Sequence, residues 1–221
     1  MKLLLSALVK FLCGVLLVGL LLFLPAGTLS YTGGWLFVGV LFIPMLILGV
    51  VLFARSPELL RRRLDNKEKE GTQRGVVALS GVVFTAGFVL AGLDFRFGWS
   101  QVPVAVVIAA TVLFLVAYGL YAEVMRENAY LSRTVKVEEG QRVIDTGLYG
   151  IVRHPMYAVT VLLFLMIPLI LGSWYSFAVF FAYPVLIAVR IGNEEKLLSA
   201  ELAGYEEYKK KVKYRLIPFV W

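Results

Sequence analysis

Long apolar runs separated by short polar connections dominate the chain. A bilayer core about 30 Å thick needs roughly 20 helical residues at about 1.5 Å rise each. The last two runs are the shortest, and only Gly172 and Ser173 separate them. They therefore predict a tight helical hairpin whose tip does not have to cross the whole bilayer. The six runs that predict membrane helices are residues 3–24, 32–54, 75–93, 102–122, 156–171 and 174–191.

The composition agrees with this pattern. Of the 221 residues, 60% are hydrophobic and only 17% are charged, and the mean hydropathy is +0.82. Six spans leave no room for a large soluble domain, so the predicted fold class is an all-α integral membrane protein. Cys13 is the only cysteine, which excludes an intrachain disulfide framework and a CxxC metal site.

The placement of basic residues predicts an orientation. If the six spans alternate, 20 of the 22 lysines and arginines fall on one side of the membrane. The opposite connections, at 25–31, 94–101 and 172–173, hold only Arg96, and Lys10 lies within the first span. By the positive-inside rule, both termini and all sizeable loops are cytoplasmic. The net charge of +7 therefore indicates topology and not nucleic-acid binding, and we expect a prokaryotic inner-membrane protein.

The polar connections divide the chain into a membrane part, 1–122, and a part that carries the chemistry, 123–221. Residues 61–70 mix both signs of charge and predict a solvated loop near anionic headgroups. Within 123–153, short valine-rich stretches flank 138–141, which predicts a hairpin-like excursion. Apolar and aromatic residues between charges at 197–208 predict an amphipathic carboxyl-terminal helix. The valine-rich stretches contain Val135, Val137, Val143 and Ile144.

Residues 146–157 form the most informative motif, TGLYGIVRHPMY, and contain the only histidine, His154. Pro155 suits the first turn of a helix, so His154 is predicted at the helix N-cap. Unpaired backbone N–H groups there favour a carboxylate-bearing ligand. A simpler interpretation is that Arg153 and His154 only anchor the helix at the interface. One histidine without a nearby cysteine or second histidine is a poor metal site, so no metal is expected.

A second group of polar residues follows the last apolar run. Arg190 and Glu194 are four residues apart and therefore share a helix face. The hairpin brings them to the same membrane face as His154. They are either an ordinary ion pair at a helix end or a site that holds an anionic acceptor and a polar ligand.

Together these motifs resemble those of the isoprenylcysteine carboxyl methyltransferase family and its bacterial and archaeal relatives. The resemblance rests on GLYGIVRHPMY at 147–157, the hairpin, RIGNEEKLL at 190–198 and GYEEY at 204–208, with further likeness at 61–65, 94–100 and 125–128. Val159 departs from the pattern, because many relatives have glycine there. The resemblance implies methyl transfer from S-adenosylmethionine, which becomes S-adenosylhomocysteine, with no metal. It assigns cofactor binding to Gln141, Arg142, Val143, Ile144, Tyr149, His154, Pro155, Met156, Tyr157 and Glu194.

The same resemblance assigns substrate binding and catalysis to Arg190, with Glu194 as the second catalytic residue. The expected acceptor is a lipophilic molecule or lipidated protein, most simply methylated on a carboxylate, which needs no general base at pH 7. An amine acceptor, as in related phospholipid methyltransferases, would need Glu194 or Glu195 as base. The sequence is also compatible with an NADPH-dependent membrane sterol or enone reductase and with a non-catalytic membrane scaffold. Membrane lipids are the remaining expected partners, and the sequence does not predict an oligomeric state.

Overall fold

The chain is described here by a computed structural model covering residues 2–64, 71–131, 137 and 140–221, without the side chains of 71 and 72. These described residues form α-helices and one short 3-10 helix at Gly147–Gly150, and they contain no strand. The α-helices are α1 Lys2–Ala26, α2 Thr32–Arg55, α3 Pro57–Leu64, α4 Gly71–Phe97, α5 Val104–Glu127, α6 Pro155–Ile170, α7 Trp174–Phe180, α8 Tyr183–Glu201 and α9 Tyr205–Lys211.

Within the described ranges, five stretches are long and apolar enough to cross a membrane, which confirms the all-α integral membrane fold. They are α1, α2, Gln73–Phe97 of α4, α5, and the combined stretch Trp174–Glu201 of α7 and α8. Helix α6 is also apolar but has only 16 residues, or about 24 Å at 1.5 Å per residue. It therefore falls short of a 30 Å bilayer core, as expected for the first leg of the hairpin.

The second leg of the hairpin differs from its prediction. It is broken at Phe181 and Ala182 into α7 and α8, and α8 continues to Glu201, ten residues beyond the predicted end. The predicted span ended where the polar residues begin, because it was bounded by hydrophobicity alone. Instead Arg190 and Glu195 are buried inside the protein, so the helix continues past them.

Two of the polar connections also differ from their predictions. Residues 61–64 belong to the amphipathic helix α3, which buries Leu59 and Leu60, and not to a solvated loop. The carboxyl-terminal helix predicted over 197–208 is interrupted after Glu201. Gly204, whose φ of +84° favours glycine, turns the chain into α9.

Some predicted features lie outside the described residues. These are 65–70 of the predicted loop and Val135, Glu138 and Glu139 of the predicted excursion. Val143 and Ile144, at its far end, have no regular secondary structure.

The core is formed by close helix packing and many aromatic contacts. Helix α1 packs against α4, α4 against α7 and α8, and α5 against α6. Phe88 lies against both Phe37 and Phe180, with ring centroids 5.7 and 5.8 Å apart. Phe164 of α6 and Tyr183 of α8 are in direct ring contact, with centroids 4.5 Å apart, so these two helices, which carry site residues, lie side by side.

A buried carboxylate connects two turns at the end of the bundle opposite His154. Asp94 of α4 is 1% exposed and accepts hydrogen bonds from Ser100 N at 2.7 Å and from Ser100 Oγ at 2.6 Å. Ser173, at the tip of the hairpin, donates to the same carboxylate. The α4–α5 connection is thereby held against the start of α7.

The close contact between α1 and α4 depends on the absence of a side chain at Gly92. A Cβ at this position would lie 2.5 Å from the carbonyl oxygen of Leu22 and 3.0 Å from the amide nitrogen of Ala26. Gly92→Ala should force the two helices apart and lower the free energy of unfolding by about 1–3 kcal/mol. Thermal unfolding of the detergent-solubilised protein measures this.

Gly81→Ala on the same helix is the matched control. A Cβ there would have nothing within 4 Å, so stability should be unchanged or slightly raised. Equal effects of the two substitutions would contradict the close packing at Gly92.

Candidate functional site

The site is built around the start of α6, and the sequence explains that start. Pro155 occupies the first turn, where the missing N–H costs nothing. His154 is the N-cap residue, as predicted, but its side chain makes no capping hydrogen bond. The imidazole instead turns toward α8, where its Nε2 lies 3.2 Å from Oε1 of Glu195.

Glu195 is the centre of a buried ionic cluster. Its carboxylate accepts from Arg153 Nε at 2.7 Å on Oε1 and from Arg215 Nε at 2.8 Å on Oε2. Because a carboxylate only accepts, Nε2 of His154 carries a hydrogen in this contact. Glu195 is 5% exposed and Arg153 8%, and charges this deeply buried are tolerated because they are paired. One side chain of α8 thus holds partners from two other segments.

Residues 212–215, here called the tail segment, close over the start of α6. The backbone N–H groups of Arg153 and His154 donate to the carbonyls of Tyr214 and Arg215, both at 2.9 Å. The guanidinium of Arg153 also donates to the carbonyls of Val212 and Lys213, both at 2.8 Å. The N–H of His154, at the helix start where the sequence suggested ligand donors, is therefore already bonded within the protein.

Arg190, Tyr157 and Glu194 form a second cluster beside the first. The hydroxyl of Tyr157 accepts from Arg190 Nε at 2.8 Å and donates to the carboxylate of Glu194. The guanidinium of Arg190 also lies over the Tyr157 ring, 5.8 Å from its centroid. Arg190 and Glu194 thus face the same side of α8, as predicted, with α6 contributing the tyrosine between them. Helix α4 touches this cluster as well, because Gln73 Nε2 donates to the Arg190 carbonyl at 3.2 Å.

The two clusters are continuous. The rings of His154 and Tyr157 are stacked, with centroids 5.8 Å apart and planes at 28°. Glu194 and Glu195 are consecutive on α8. Glu194 is hydrogen-bonded to the Tyr157 hydroxyl, and Glu195 is hydrogen-bonded to the His154 imidazole. The structure therefore brings His154, Pro155, Tyr157, Arg190 and Glu194 together, as the sequence predicted.

Tyr149 is held in place by hydrogen bonds to its hydroxyl and to its carbonyl. Its hydroxyl accepts from Asn128 Nδ2 at 2.9 Å, and its carbonyl accepts from the Tyr208 hydroxyl at 2.7 Å. Glu127 supports the same 3-10 turn by accepting from the Leu148 N–H at 3.1 Å. Burial raises the pKa of Tyr149 above its ordinary value, so its hydroxyl stays protonated at neutral pH.

Segment 141–144, which has no regular secondary structure, packs against two hydrophobic clusters. Val143 packs against the cluster of Leu202, Tyr205, Tyr208 and Val212. Ile144 packs against the cluster that contains Tyr149 and Met156. Arg142 is exposed and Gln141 is half-buried, so the structure places Val143 and Ile144 closest to the buried site residues.

The sequence-based assignment missed the structural role of several residues that build the site. It considered Arg153 only as an interface anchor and Glu195 only as a possible base for an amine acceptor, and their adjacency to assigned residues was the available signal for their pairing. The Glu127–Asn128 pair was noted only as a likeness to bacterial relatives, although it holds the Tyr149 turn. Arg215 had no local signal, because the basic, aromatic tail is typical of an interfacial anchor.

Residues 107–200 match the model of the isoprenylcysteine carboxyl methyltransferase (ICMT) family. The chain is also 32% identical over 90 residues to the uncharacterized protein YpbQ of Bacillus subtilis (strain 168). This alignment covers 40% of the chain and 54% of YpbQ, so the chain spans about half the length of this relative. The resemblance inferred from the motifs is confirmed, and the matched region includes both buried clusters except the tail segment.

The ionic cluster generates a prediction about the tail segment. Glu195→Gln removes the charge that pairs with Arg153 and Arg215, and leaving buried charges uncompensated should lower the free energy of unfolding by about 3 kcal/mol. The tail segment should detach more often, and trypsin should cleave after Lys209–Lys213 several times faster. Limited proteolysis with mass spectrometry measures the cleavage rate.

Glu201→Gln is the control, because Glu201 is an exposed carboxylate on the same helix. It should leave cleavage and stability unchanged. If Glu195→Gln also leaves both unchanged, the cluster does not hold the tail segment.

Proposed function

Because residues 107–200 match the isoprenylcysteine carboxyl methyltransferase family, we propose that this protein transfers a methyl group from S-adenosylmethionine to the carboxylate of a lipophilic acceptor. The observation that carries the proposal is the Arg190–Tyr157–Glu194 cluster beside the start of α6. It provides a cation, a hydroxyl and a carboxylate in one partly buried place.

The side chains present fit this cofactor. S-adenosylmethionine carries a sulfonium cation, an amine, a carboxylate and ribose hydroxyls, which need aromatic faces, acceptors and donors. Tyr149, His154 and Tyr157 offer aromatic rings, and Glu194 offers an acceptor. Two buried polar atoms, Asn193 Nδ2 and Tyr205 OH, also lack a hydrogen-bond partner among the described residues, which is expected of a site that a polar ligand completes. Gln141, Arg142, Val143, Ile144, Pro155 and Met156 complete the proposed cofactor contacts.

When bound, the cofactor would supply a methyl group on a positively charged sulfur. An acceptor carboxylate oxygen could take that methyl group as the carbon–sulfur bond breaks, with neutral S-adenosylhomocysteine as the leaving group. The task of the protein is to align the two reactants and to exclude water. Arg190 is suited to hold an acceptor carboxylate because Tyr157 fixes its guanidinium by a hydrogen bond and by ring contact. Glu194 orients the Tyr157 hydroxyl and faces the cofactor.

The engagement of Glu195 favours a carboxylate over an amine acceptor. An amine must lose a proton, which requires a base that can accept it. Glu195 already accepts from Arg153, His154 and Arg215 and is a poor base for that reason. Of the two acidic residues considered for this role, only Glu194 remains, and a carboxylate acceptor needs neither.

The lipophilic part of the acceptor is proposed to reach the site from the bilayer. The bundle presents large apolar side chains outward along α1, α2 and α5, such as Leu16 and Ile43, so a lipid chain can approach from the side. The water-soluble cofactor would enter at the cytoplasmic face, where the basic residues are concentrated.

A methyl-transfer assay tests the proposal. Purified protein with tritiated S-adenosylmethionine should label an S-prenylated cysteine derivative, and mild alkali should release the label as volatile methanol, because only a methyl ester is cleaved. Arg190→Ala and Glu194→Gln should each lower the rate at least 100-fold, since both contact the reactants.

Each other outcome has a distinct meaning. Alkali-stable label on an aminophospholipid would indicate an amine methyltransferase. Oxidation of NADPH with a sterol or enone would indicate a reductase. Absence of saturable S-adenosylmethionine binding by folded protein would contradict the proposal and favour a scaffold.

We further propose that the site faces the cytoplasm of a prokaryotic cell, and accessibility labelling tests this. In a Cys13→Ser background, single cysteines are introduced by Gln101→Cys and Lys210→Cys, at exposed positions near opposite ends of the bundle. An impermeant maleimide should label the first variant in intact spheroplasts and the second only after permeabilisation. The reverse pattern would contradict the orientation.

A further inference from the structure

Two tyrosines of α9, Tyr205 and Tyr208, are both buried. Among the described residues, only the hydroxyl of Tyr208 has a hydrogen-bond partner. Tyr205 is 3% exposed, and its OH has no hydrogen-bond partner within the described part of the chain. Tyr208, one turn along α9 and 5% exposed, donates its hydroxyl to the Tyr149 carbonyl at 2.7 Å. Because a buried hydroxyl without a partner costs free energy, Tyr205 is the exception that needs an explanation.

A second unpaired donor lies on α8. Asn193 Nδ2 is buried and likewise has no partner among the residues described. Asn193 is three residues after Arg190, so the two side chains are neighbours on one side of α8. Two buried groups that lack a partner among the described residues therefore lie on α8 and α9, the helices on either side of the turn at Gly204.

The surroundings of Tyr205 connect it with the proposed cofactor site. It belongs to the cluster against which Val143 of segment 141–144 packs. The left-handed turn at Gly204 lets α9 fold back, and a Cβ at Gly204 would lie 3.9 Å from Val143 Cγ2. Leu198, near the end of α8, packs against the same cluster, so Tyr205 lies where segment 141–144 and the end of α8 meet.

The charges nearby indicate which ligand atoms these groups suit. Burial first, and then the carboxylates of Glu195 and Glu194, raise the pKa of Tyr205, so the hydroxyl keeps its proton and can donate. Asn193 Nδ2 is a donor by its chemistry. Both therefore suit an acceptor atom, and the neighbouring carboxylates disfavour one that carries a negative charge.

We propose that Asn193 and Tyr205 bind the cofactor by donating hydrogen bonds to neutral acceptor atoms of its nucleoside half, the ribose oxygens or the purine nitrogens. This inference rests on the proposed function and adds two residues to the site. It explains why two donors remain unpaired in a protein that otherwise pairs its buried polar groups around Glu195.

The experiment compares two tyrosine variants in two measurements. Tyr205→Phe should leave the unfolding temperature of the ligand-free protein unchanged or higher, because no protein hydrogen bond is lost. Its Kd for S-adenosylhomocysteine should rise about fivefold to tenfold. Tyr208→Phe should lower the ligand-free unfolding temperature, because the Tyr149 carbonyl loses its donor. Asn193→Leu should behave like Tyr205→Phe.

A smaller ligand checks the assignment to the nucleoside half. The affinity for 5′-methylthioadenosine, which lacks the amino-acid part, should fall by a similar factor in Tyr205→Phe and Asn193→Leu. A loss seen only with S-adenosylhomocysteine would overturn the assignment.

The failures are distinguishable. If the unsubstituted protein does not bind S-adenosylhomocysteine, the proposed function fails. If it binds, but Tyr205→Phe binds equally well or loses stability as Tyr208→Phe does, only this inference is overturned.

Discussion

The site depends on the pairing of one buried carboxylate. A charge on Glu195 inside an apolar bundle is tolerated only if it is compensated, and Arg153, His154 and Arg215 compensate it. These partners come from the start of α6 and from the tail segment, so the pairing fixes three parts of the chain at once. The position of His154, and with it the stacked ring of Tyr157, follows from this arrangement.

This constraint explains how so apolar a chain can contain the polar site that we propose to be an enzyme site. The helices that face the lipid need few polar residues, and the short α6 and the long α8 bring their polar ends together. One face of α8 holds Arg190 and Glu194 for the proposed reactants, while Glu195 secures the frame. The two adjacent glutamates therefore have different roles. Glu194 is proposed to contact the cofactor, and Glu195 positions Arg153, His154 and Arg215.

The sequence predicted the long membrane helices and named the residues of the proposed site, but not the frame that holds them. Apolar runs define membrane helices locally, and the motif around His154 and the spacing of Arg190 and Glu194 are local as well. The last predicted span ended at residue 191 because hydrophobicity alone bounded it, whereas Glu195 is buried by partners far away in the sequence. The contact of Arg215 with Glu195 joins residues twenty positions apart across a helix break at Gly204, and no periodicity encodes such a pairing.

The central claim is that the start of α6, the end of α8 and segment 141–144 form one binding site for S-adenosylmethionine. Hydrogen–deuterium exchange of the detergent-solubilised protein, with and without S-adenosylhomocysteine, tests it most directly because it locates the ligand without requiring the acceptor. We expect bound S-adenosylhomocysteine to slow amide exchange in 141–157 and 190–208 and to leave α1 and α2 unchanged. Protection confined to other helices, or no protection at saturating ligand, would contradict it.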